Sequence, residues 1–564
     1  MRMQFIKSVR YLLFFLSPLF IKAQSTYIPM GMKDYILLDR LEIKTKQQDL
    51  FFTHVRPYNR KYYTKQVEII DSMRYSNENL KARLSSVDIY NMQRFLTNNA
   101  EWTTREDLRK PQNMFHDFFH SKGNLFEVNN KDFYVQASPL INIQSGQENG
   151  YDKPIFQNTR GLYIRGRIAD KIGFDVYFTD NQERDPRYVQ AWVKQYKAVP
   201  GAGFYKPLGV VEGYDYTEVR GSISFKAAKF IDMQFGYDRN FIGNGFRSMF
   251  MSDFSNSGLF LKVNTRIWKL NHENLFMELI QPNGFIANGG RNLPRKYFRM
   301  NHLSVNATKW LNVGIFDAVM FSRGDHFDFM YLNPILFLVP GQQQIGSPDN
   351  TMLGIDAKAN IAKRFQLYGQ INFDEFITKE IFSNKYNWQN KYGYQLGLKY
   401  IDVFGIKNVD LQLESNRVRP FTYSHLDSTS NWIHYNQPFA HPLGANFQEY
   451  VAILRAQPLK QLYVNARAVY YKQGRDSLGF NLGANPMRPY TDRLRNDFLK
   501  VGSGDETKVL LLTLQLSYEL AENLFLDINI NKRSSSSLLG GTAPEATMIS
   551  GGIRWNMARR EFVF

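Results

Sequence analysis

His116 and His120 stand four residues apart, the spacing at which one face of a helix offers two imidazoles to a metal ion. A third ligand is not evident near them, and Phe115, Phe118 and Phe119 read as a packed apolar face, so the pair is expected to be structural. Asp374 and Glu375 put two carboxylates side by side, but adjacent residues on a strand point to opposite faces and cannot act as acid and base on one bond. Gly243-Asn-Gly-Phe-Arg-Ser248 begins with the glycine spacing of a phosphate cradle, departs from it at the last position, and follows a strand of membrane type. The chain carries no Walker lysine loop, G-x-S-x-G elbow or H-E-x-x-H pair. Its cysteine count is 0, which removes disulfides, thiolate metal sites, a catalytic thiol and a lipoprotein acylation site together. Neither an enzyme nor a cofactor is expected.

Positive charge is the chemistry that remains. The 70 Lys+Arg against 52 Asp+Glu leave a net +18, which calls for an anionic partner. No compact basic run, finger spacing or RNA-binding aromatic signature focuses that charge, so nucleic acid is set aside in favour of lipopolysaccharide phosphates or an acidic surface polysaccharide. Arg165, Arg167, Arg220, Lys262, Arg266 and Arg467 recur on the polar side of alternating segments. Two readings stay open for them. Glu218, Asp175, Asp410 and Glu414 can pair with them and fill an interior with salt bridges, or the cations line an electropositive funnel for an anionic glycan. In the second case Arg239, Arg247, Arg291, Arg295 and Arg419 join at the rim, where guanidinium groups suit bidentate carboxylate binding and Tyr423 suits a sugar face.

The elements that must position these residues are β-hairpins. In the stretch 215–239, Val219, Gly221, Ile223 and Phe225 alternate with Glu218, Arg220, Ser222, Ser224 and Lys226, and then Ile231, Met233, Phe235 and Tyr237 alternate with Asp232, Gln234 and Asp238. Period-2 alternation puts the sets on opposite faces. One face is apolar enough for lipid, and the other carries charges of both signs that a dry core would reject without extensive pairing. A transmembrane barrel accepts both at once. The same pattern marks Leu510, Leu512, Leu514, Leu516 and Tyr518, Leu524 to Ile530, and Val409, Leu411 and Leu413. Tight turns are expected after Ile168 and near Ala227–Lys229, Leu270–Asn274, Ala307–Trp310, Ala362–Arg364, Phe404–Lys407, Pro458–Gln461 and Glu519–Asn523, with long polar loops between the hairpins, such as 241–257, 323–350 and 418–446. One strand before Gly146, the hairpins and a final strand make about 18 strands, an even number as single-chain barrels have. The final segment, with Ile553, Trp555 and Met557, ends Glu-Phe-Val-Phe564 and is similar to the terminal strand signal of barrel assembly, although Arg560 sits where that signal prefers an apolar residue. Aromatics at 15% with a mean hydropathy of -0.40 agree, because lumen, turns and loops dilute a lipid-facing aromatic surface.

Residues 1–23 read as a secretory signal, with Arg2, Lys7 and Arg10 before an apolar run from Tyr11 to Ile21. That run is too short to span a bilayer as a helix, and no later stretch of ~20 apolar residues takes its place. Residues 24–130 read as a small helical domain on the periplasmic side: Tyr63, Val67 and Ile70 share one helical face, Ile89, Met92 and Leu96 another with Ser86 as N-cap, and Leu37, Leu38 and Leu41 a third. A cap on the barrel mouth and a docking module are equally open for it. The fold class is therefore mainly β, a transmembrane antiparallel barrel over 131–564 with an N-terminal helical part, in the cell outer membrane.

Phe235-Gly-Tyr-Asp-Arg239 with its Gly-Asn-Gly turn, Tyr331-Leu-Asn-Pro-Ile335 leading to Asn350 and Asp356, the Leu367-to-Glu375 strand, and Glu414-Ser-Asn-Arg-Val-Arg-Pro420 leading to His441-Pro-Leu-Gly-Ala-Asn446 together resemble the Wzi-type capsule-assembly family, in its Bacteroidota branch, which includes gliding-motility proteins. The resemblance covers most of 130–564. It implies an outer-membrane barrel that anchors or organises capsular or exopolysaccharide without catalysis. An accessory role beside motility or secretion machinery, and a porin-like channel, are the alternatives.

Overall fold

The computed structural model describes residues 25–564, apart from 48–49, 51, 110–123, 131, 170, 210–211, 282–293, 325–327, 335–336, 376–384 and 541–544. The expected signal segment, the His116/His120 pair and Arg291 lie outside the described residues.

Eighteen long antiparallel strands close on themselves. They are β1 (Phe133–Glu148), β2 (Ile155–Ile168), β3 (Ile172–Arg184), β4 (Gly213–Ala228), β5 (Ile231–Asp238), β6 (Gly258–Ile267), β7 (Leu270–Ile280), β8 (Arg295–Asn306), β9 (Leu311–Phe321), β10 (Asn350–Ile361), β11 (Phe365–Glu375), β12 (Lys391–Tyr400), β13 (Val409–Val418), β14 (Phe447–Leu459), β15 (Leu462–Arg475), β16 (Asp505–Ala521), β17 (Leu524–Ser537) and β18 (Ala546–Trp555). Closure comes from β18 against β1, with Ile553 opposite Ile143 and Gly551 opposite Ser145. A closed ladder leaves no free edge, which is what permits a β structure in lipid. The alternation read from the sequence is realised: Val219, Ile223, Phe235, Leu512 and Ile528 are exposed on the outer wall, while Gln234, Ser224, Gln515 and Asp527 are buried inside.

Two expectations about the strands are corrected. The turn between β6 and β7 is Trp268-Lys269, and Leu270–Asn274 already belong to β7. Their polarity, which reads as a turn, serves the interior, where Asn271 and Glu273 are buried. Asp374 and Glu375 are not held apart by strand alternation. A register shift between Phe373 and Glu375 lets both approach Lys391, whose Nζ lies 3.8 Å from Asp374 and 3.1 Å from Glu375. An extra residue in one strand is the usual way that alternation is broken.

The lumen is filled from both ends. At the short-turn end sit α1 (Asp34–Thr45), α2 (Arg60–Ser76), α3 (Glu78–Arg83) and α4 (Ser86–Asn98), packed around Leu38, Leu41, Val67, Ile70, Met92 and Leu96. The N-cap of α4 is Ser85 rather than Ser86: its hydroxyl accepts from Asp88 N while the Asp88 carboxylate accepts from Ser85 N, a reciprocal capping box. From the long-loop end, segments 239–257 and 419–446 fold inward and build the largest aromatic core, with Phe250, Trp432 and Phe439 against Phe298, Phe316 and Met352 of the wall. Phe250 stacks on Phe316 with centroids 4.3 Å apart. The two fillings meet in mid-barrel, where Phe241-Ile242 pairs with Val55-Arg56 and Gly243 N donates to His54 O at 2.7 Å.

The strand ladder ends at Trp555, so Phe564 does not lie in the last strand, where a terminal-strand signal would put it. Asn556 turns the chain through a left-handed conformation (φ 54°), and residues 557–564 climb back through the lumen. Arg559, Arg560 and Glu561 would be prohibitive against lipid but find partners inside. Arg560 forks onto Glu183 with two 2.7 Å bonds, and Phe564 packs with Tyr188, Trp192 and Phe254. The loop between β9 and β10 is also not free: its helix α6 (Leu338–Ile345, numbered after α5, Arg187–Tyr196) lies against the outside of the wall. There Leu338 N donates to Asp317 and Tyr331 O accepts from Arg299, covering two outward-facing charged residues.

Candidate functional site

Five of the six lumen cations contact the filling, and the sixth, Arg220, pairs within the wall; together they do not line an open funnel. Arg165 donates to Asn98 O (2.6 Å) and Gln136 Oε1 (2.8 Å) and lies 3.2 Å from Glu101. Arg167 covers the Trp102 ring at 5.4 Å, and Arg266 covers Tyr62 at 4.4 Å and Phe52 at 4.8 Å. Lys262 faces Tyr27 at 5.5 Å. Arg220 lies over Tyr177 at 3.9 Å and near Glu218 and Asp238. Arg467 bonds Glu561 of the tail at 2.7 Å. Pairing within the wall, as read from the sequence, is only part of the pattern: Asp410 accepts from Arg40 of α1, and Glu414 accepts from two backbone N–H groups. Partners come from α1, the segment after α4 and the tail, which strand periodicity alone does not reveal.

Those two N–H groups belong to the Gly243-Asn-Gly-Phe-Arg-Ser248 turn. Phe246 N and Arg247 N donate to the Glu414 carboxylate at 2.7 and 3.0 Å, and a Cβ on Gly245 would lie 2.5 Å from Glu414 Oε2. The turn thus does cradle an anion, the carboxylate of its own wall.

The expected rim set divides. Arg247 is buried, forks onto Glu449 and donates to Val563 O at 2.6 Å; Glu449 also lies 2.8 Å from His441 Nε2. Arg419 is buried and donates to Asn390 O (2.7 Å) and Asn387 O (3.0 Å). Tyr423 is buried, with its hydroxyl on Met249 O at 2.8 Å. Arg239 is half-buried on Glu218. Their place at the rim was inferred from loop composition, but these loops fold inward and consume the guanidinium groups as braces. Arg295 is exposed and lies 3.6 Å from Glu278.

What faces outward at the long-loop end is a platform that sequence reading missed. Residues 385–390 and 476–504 join edge to edge: Trp388 N donates to Asn496 O (2.9 Å), Phe498 N to Lys385 O (2.6 Å) and Leu499 N to Tyr386 O (3.1 Å). Trp388 stacks with Tyr490 at 4.6 Å, the Arg493 guanidinium covers Trp388 at 4.2 Å, and Lys500 covers Tyr386 at 4.9 Å. Phe498 is 64% exposed, and Arg495 and Lys500 are exposed beside it. Arg419 braces this platform from beneath through its bonds to Asn387 and Asn390. The available signal was the run Arg488-Pro-Tyr-Thr-Asp-Arg-Leu-Arg495, dense in aromatic and basic residues within a Gly/Asn/Pro stretch.

Burial tunes the loop histidines. His434 Nδ1 accepts from Ile280 N (3.1 Å) and Nε2 lies 2.9 Å from Ser257 O, so the ring is neutral, and burial pushes its pKa down to about 3. Burial likewise lowers His425 to about 4. In the tail, burial alone would raise Glu561, but Arg467 and Arg559 hold it down at about 2. A cavity of about 450 Å³ remains between α1, the tail and β12 to β18, bordered by Asp39, Arg56, Arg455 and Glu561. Among the described residues no group of three His, Cys, Asp or Glu can hold a metal ion.

No protein-family model matches the chain, and no curated protein matches it. Solved structures do. Wzi of Escherichia coli, described as a carbohydrate-binding β-barrel involved in group 1 capsule assembly, aligns over 95% of this chain and 100% of its own with a TM-score of 0.52 at 13% identity. OprD of Pseudomonas aeruginosa aligns over 75% of this chain and 94% of its own (TM-score 0.42, 11% identity), and OccAB2 of Acinetobacter baumannii over 76% and 98% (TM-score 0.41, 9% identity). The likeness to Wzi is one of fold: this chain is a closed antiparallel barrel of the outer-membrane type.

Proposed function

We propose that this protein is a non-catalytic outer-membrane barrel that holds an acidic surface polysaccharide on its long-loop face, with α1 to α4 closing the barrel on the periplasmic side. The observation that carries the reading is the joined loop platform, in which backbone hydrogen bonds hold the exposed Arg495, Phe498 and Lys500 together with the half-buried Tyr386, Tyr490 and Arg493. Aromatic faces suit the apolar faces of sugar rings, and cations beside them suit uronate or other acidic substituents. The filled lumen favours a platform over a porin-like channel, because helices, inward-folded loops and tail are tied to the wall by buried pairs such as Arg560–Glu183 and Arg247–Glu449. The fold-level likeness to a barrel described as carbohydrate-binding points the same way.

A deletion strain stained for cell-surface glycan and scored for spreading tests this. Loss of retained glycan with normal spreading supports the proposal. Normal glycan with lost spreading would replace it with an accessory role beside motility machinery.

A further inference from the structure

The outer wall carries a second cationic feature, set by strand register. Arg417 of β13 stands opposite Gln448 of β14, Gln448 opposite Lys472 of β15, Lys472 opposite Lys508 of β16, and Lys508 opposite Ser536 of β17. Directly opposed residues share a face, so these side chains form one row, and it points outward, as Leu413, Tyr470 and Leu510 on the same strand faces do. Arg417 and Lys508 are exposed and Lys472 is partly so. Among them stands one carboxylate, Glu506, 2.5 Å from Lys472 and 3.4 Å from Lys508.

Height decides what this row meets. The next row toward the short turns is Ser415, Tyr450, Tyr470 and Leu510, and below it the outward positions of β13 to β16 are apolar, while on β17 Lys532 stands opposite Leu512. On β16 the outward apolar run extends from Leu510 to Leu520, which at about 3.3 Å per residue and a tilt of about 40° spans roughly 25 Å. That matches the apolar band of ~25 Å expected of such a barrel, with tyrosines at its edge. On each strand the cation therefore stands one outward position beyond Ser415, Tyr470 or Leu510, at the loop-side edge of the apolar face where headgroups begin. Neighbouring strands are about 4.8 Å apart, so Arg417, Lys472 and Lys508 fall within the width of one large headgroup.

We propose that Arg417, Lys472 and Lys508 form a binding site for the phosphorylated sugar headgroup of an outer-leaflet glycolipid, with Tyr450 and Tyr470 against the junction of sugar and acyl chains. This rests on the reading of the chain as an outer-membrane barrel, with the long loops outside. Ammonium and guanidinium groups make charge-assisted hydrogen bonds to phosphate oxygens, and the three cations exceed the single carboxylate among them, Glu506. The site lies on the membrane-facing wall and is distinct from the loop platform.

The test uses the full-length protein folded in detergent and supplied with diphosphoryl lipid A, with monophosphoryl lipid A, or with inorganic phosphate as competitor. Wild-type protein should retain diphosphoryl lipid A through chromatography, less of the monophosphoryl form, and lose neither to millimolar phosphate. The R417Q/K472Q/K508Q variant should retain at least tenfold less. R160Q, which removes an outward cation of β2 that stands opposite Asp180 of β3, should retain as much as wild type. Equal retention by the triple variant overturns the site, and displacement by inorganic phosphate overturns the glycolipid assignment. Heat-modifiable migration reports folding; if the triple variant fails to fold, R417Q and K508Q singly should each lower retention, and unchanged retention by both overturns the site. Fractionation of cells separates the two levels: absence from the outer membrane removes the underlying reading, whereas outer-membrane protein with unaltered lipid retention in the variants removes only this site.

Discussion

Arg247 donates across the lumen to the main-chain carbonyl of Val563 at 2.6 Å, while its guanidinium is forked onto Glu449. One side chain thereby ties the inward-folded loop, the barrel wall and the tail together. Removing one partner of a buried pair costs about 3–5 kcal/mol, because the other charge is left without compensation. Arg247→Ala, or deletion of residues 556–564, is expected to loosen the lumen filling while leaving the eighteen-strand ladder assembled. Planar-bilayer recordings should show little current for the wild type and larger, fluctuating currents for both variants; silent recordings from both would mean that the tail is not part of the closure.

Acidification should act on the loop segment 419–446. His434 and His425 have folded pKa values depressed to about 3 and about 4, so between these values and about 6.5 the unfolded segment binds protons that the folded one does not. Stability from these groups is therefore fully present above about pH 6.5 and falls as pH drops toward 4. Each unit of depression corresponds to about 1.4 kcal/mol, so the loss amounts to a few kcal/mol. Lys296 and Arg295, which also disfavour a charged His434, reinforce the direction. Emission from the buried Trp432 should redshift on going from pH 7.5 to 4.5, and H434Q should flatten that change; a pH-independent signal would contradict it.

Glycan binding should depend on the platform rather than on the buried arginines. Replacing Arg493, Arg495 and Lys500 with Gln should weaken retention of an acidic polysaccharide about tenfold at low salt. Charge-assisted hydrogen bonds are worth roughly 1.5–3 kcal/mol when well made, and exposure reduces that. The difference should shrink as salt rises. Arg419→Gln is expected to weaken binding indirectly, with a visible loss of loop protection from protease. Retention by the platform variant equal to that of wild type at every salt concentration would remove the platform from the function.

Topology can be read on intact cells. An epitope inserted after Gly540, beside the exposed Leu538 and Leu539, should be reached by antibody, whereas one at Trp268, 81% exposed on the β6–β7 turn, should be reached only after permeabilisation. The reverse labelling would invert the assignment of the two ends.

Period-2 alternation, the polarity switch between faces and the spacing of turns are local properties, and from them alone the barrel, its strand number of about 18 and its apolar outer face were legible in Val219 to Tyr237 or Leu510 to Tyr518. The helical periods of Tyr63, Val67 and Ile70 were legible for the same reason. Where a segment goes after leaving the ladder is not local. Arg247, Arg419 and Tyr423 read as rim residues because their stretches are rich in Gly, Asn and Pro, but those stretches fold into the lumen, and only the encounter with Glu449, Asn390 and Met249 decides their burial. The tail from Asn556 to Phe564 has the composition of a strand end, and the left-handed turn at Asn556 with the Glu183 and Arg467 partners inside sends it up the barrel instead. The lipid-facing row of Arg417, Lys472 and Lys508 joins residues up to 91 positions apart in sequence, and no pattern along the chain brings them together until strand register does.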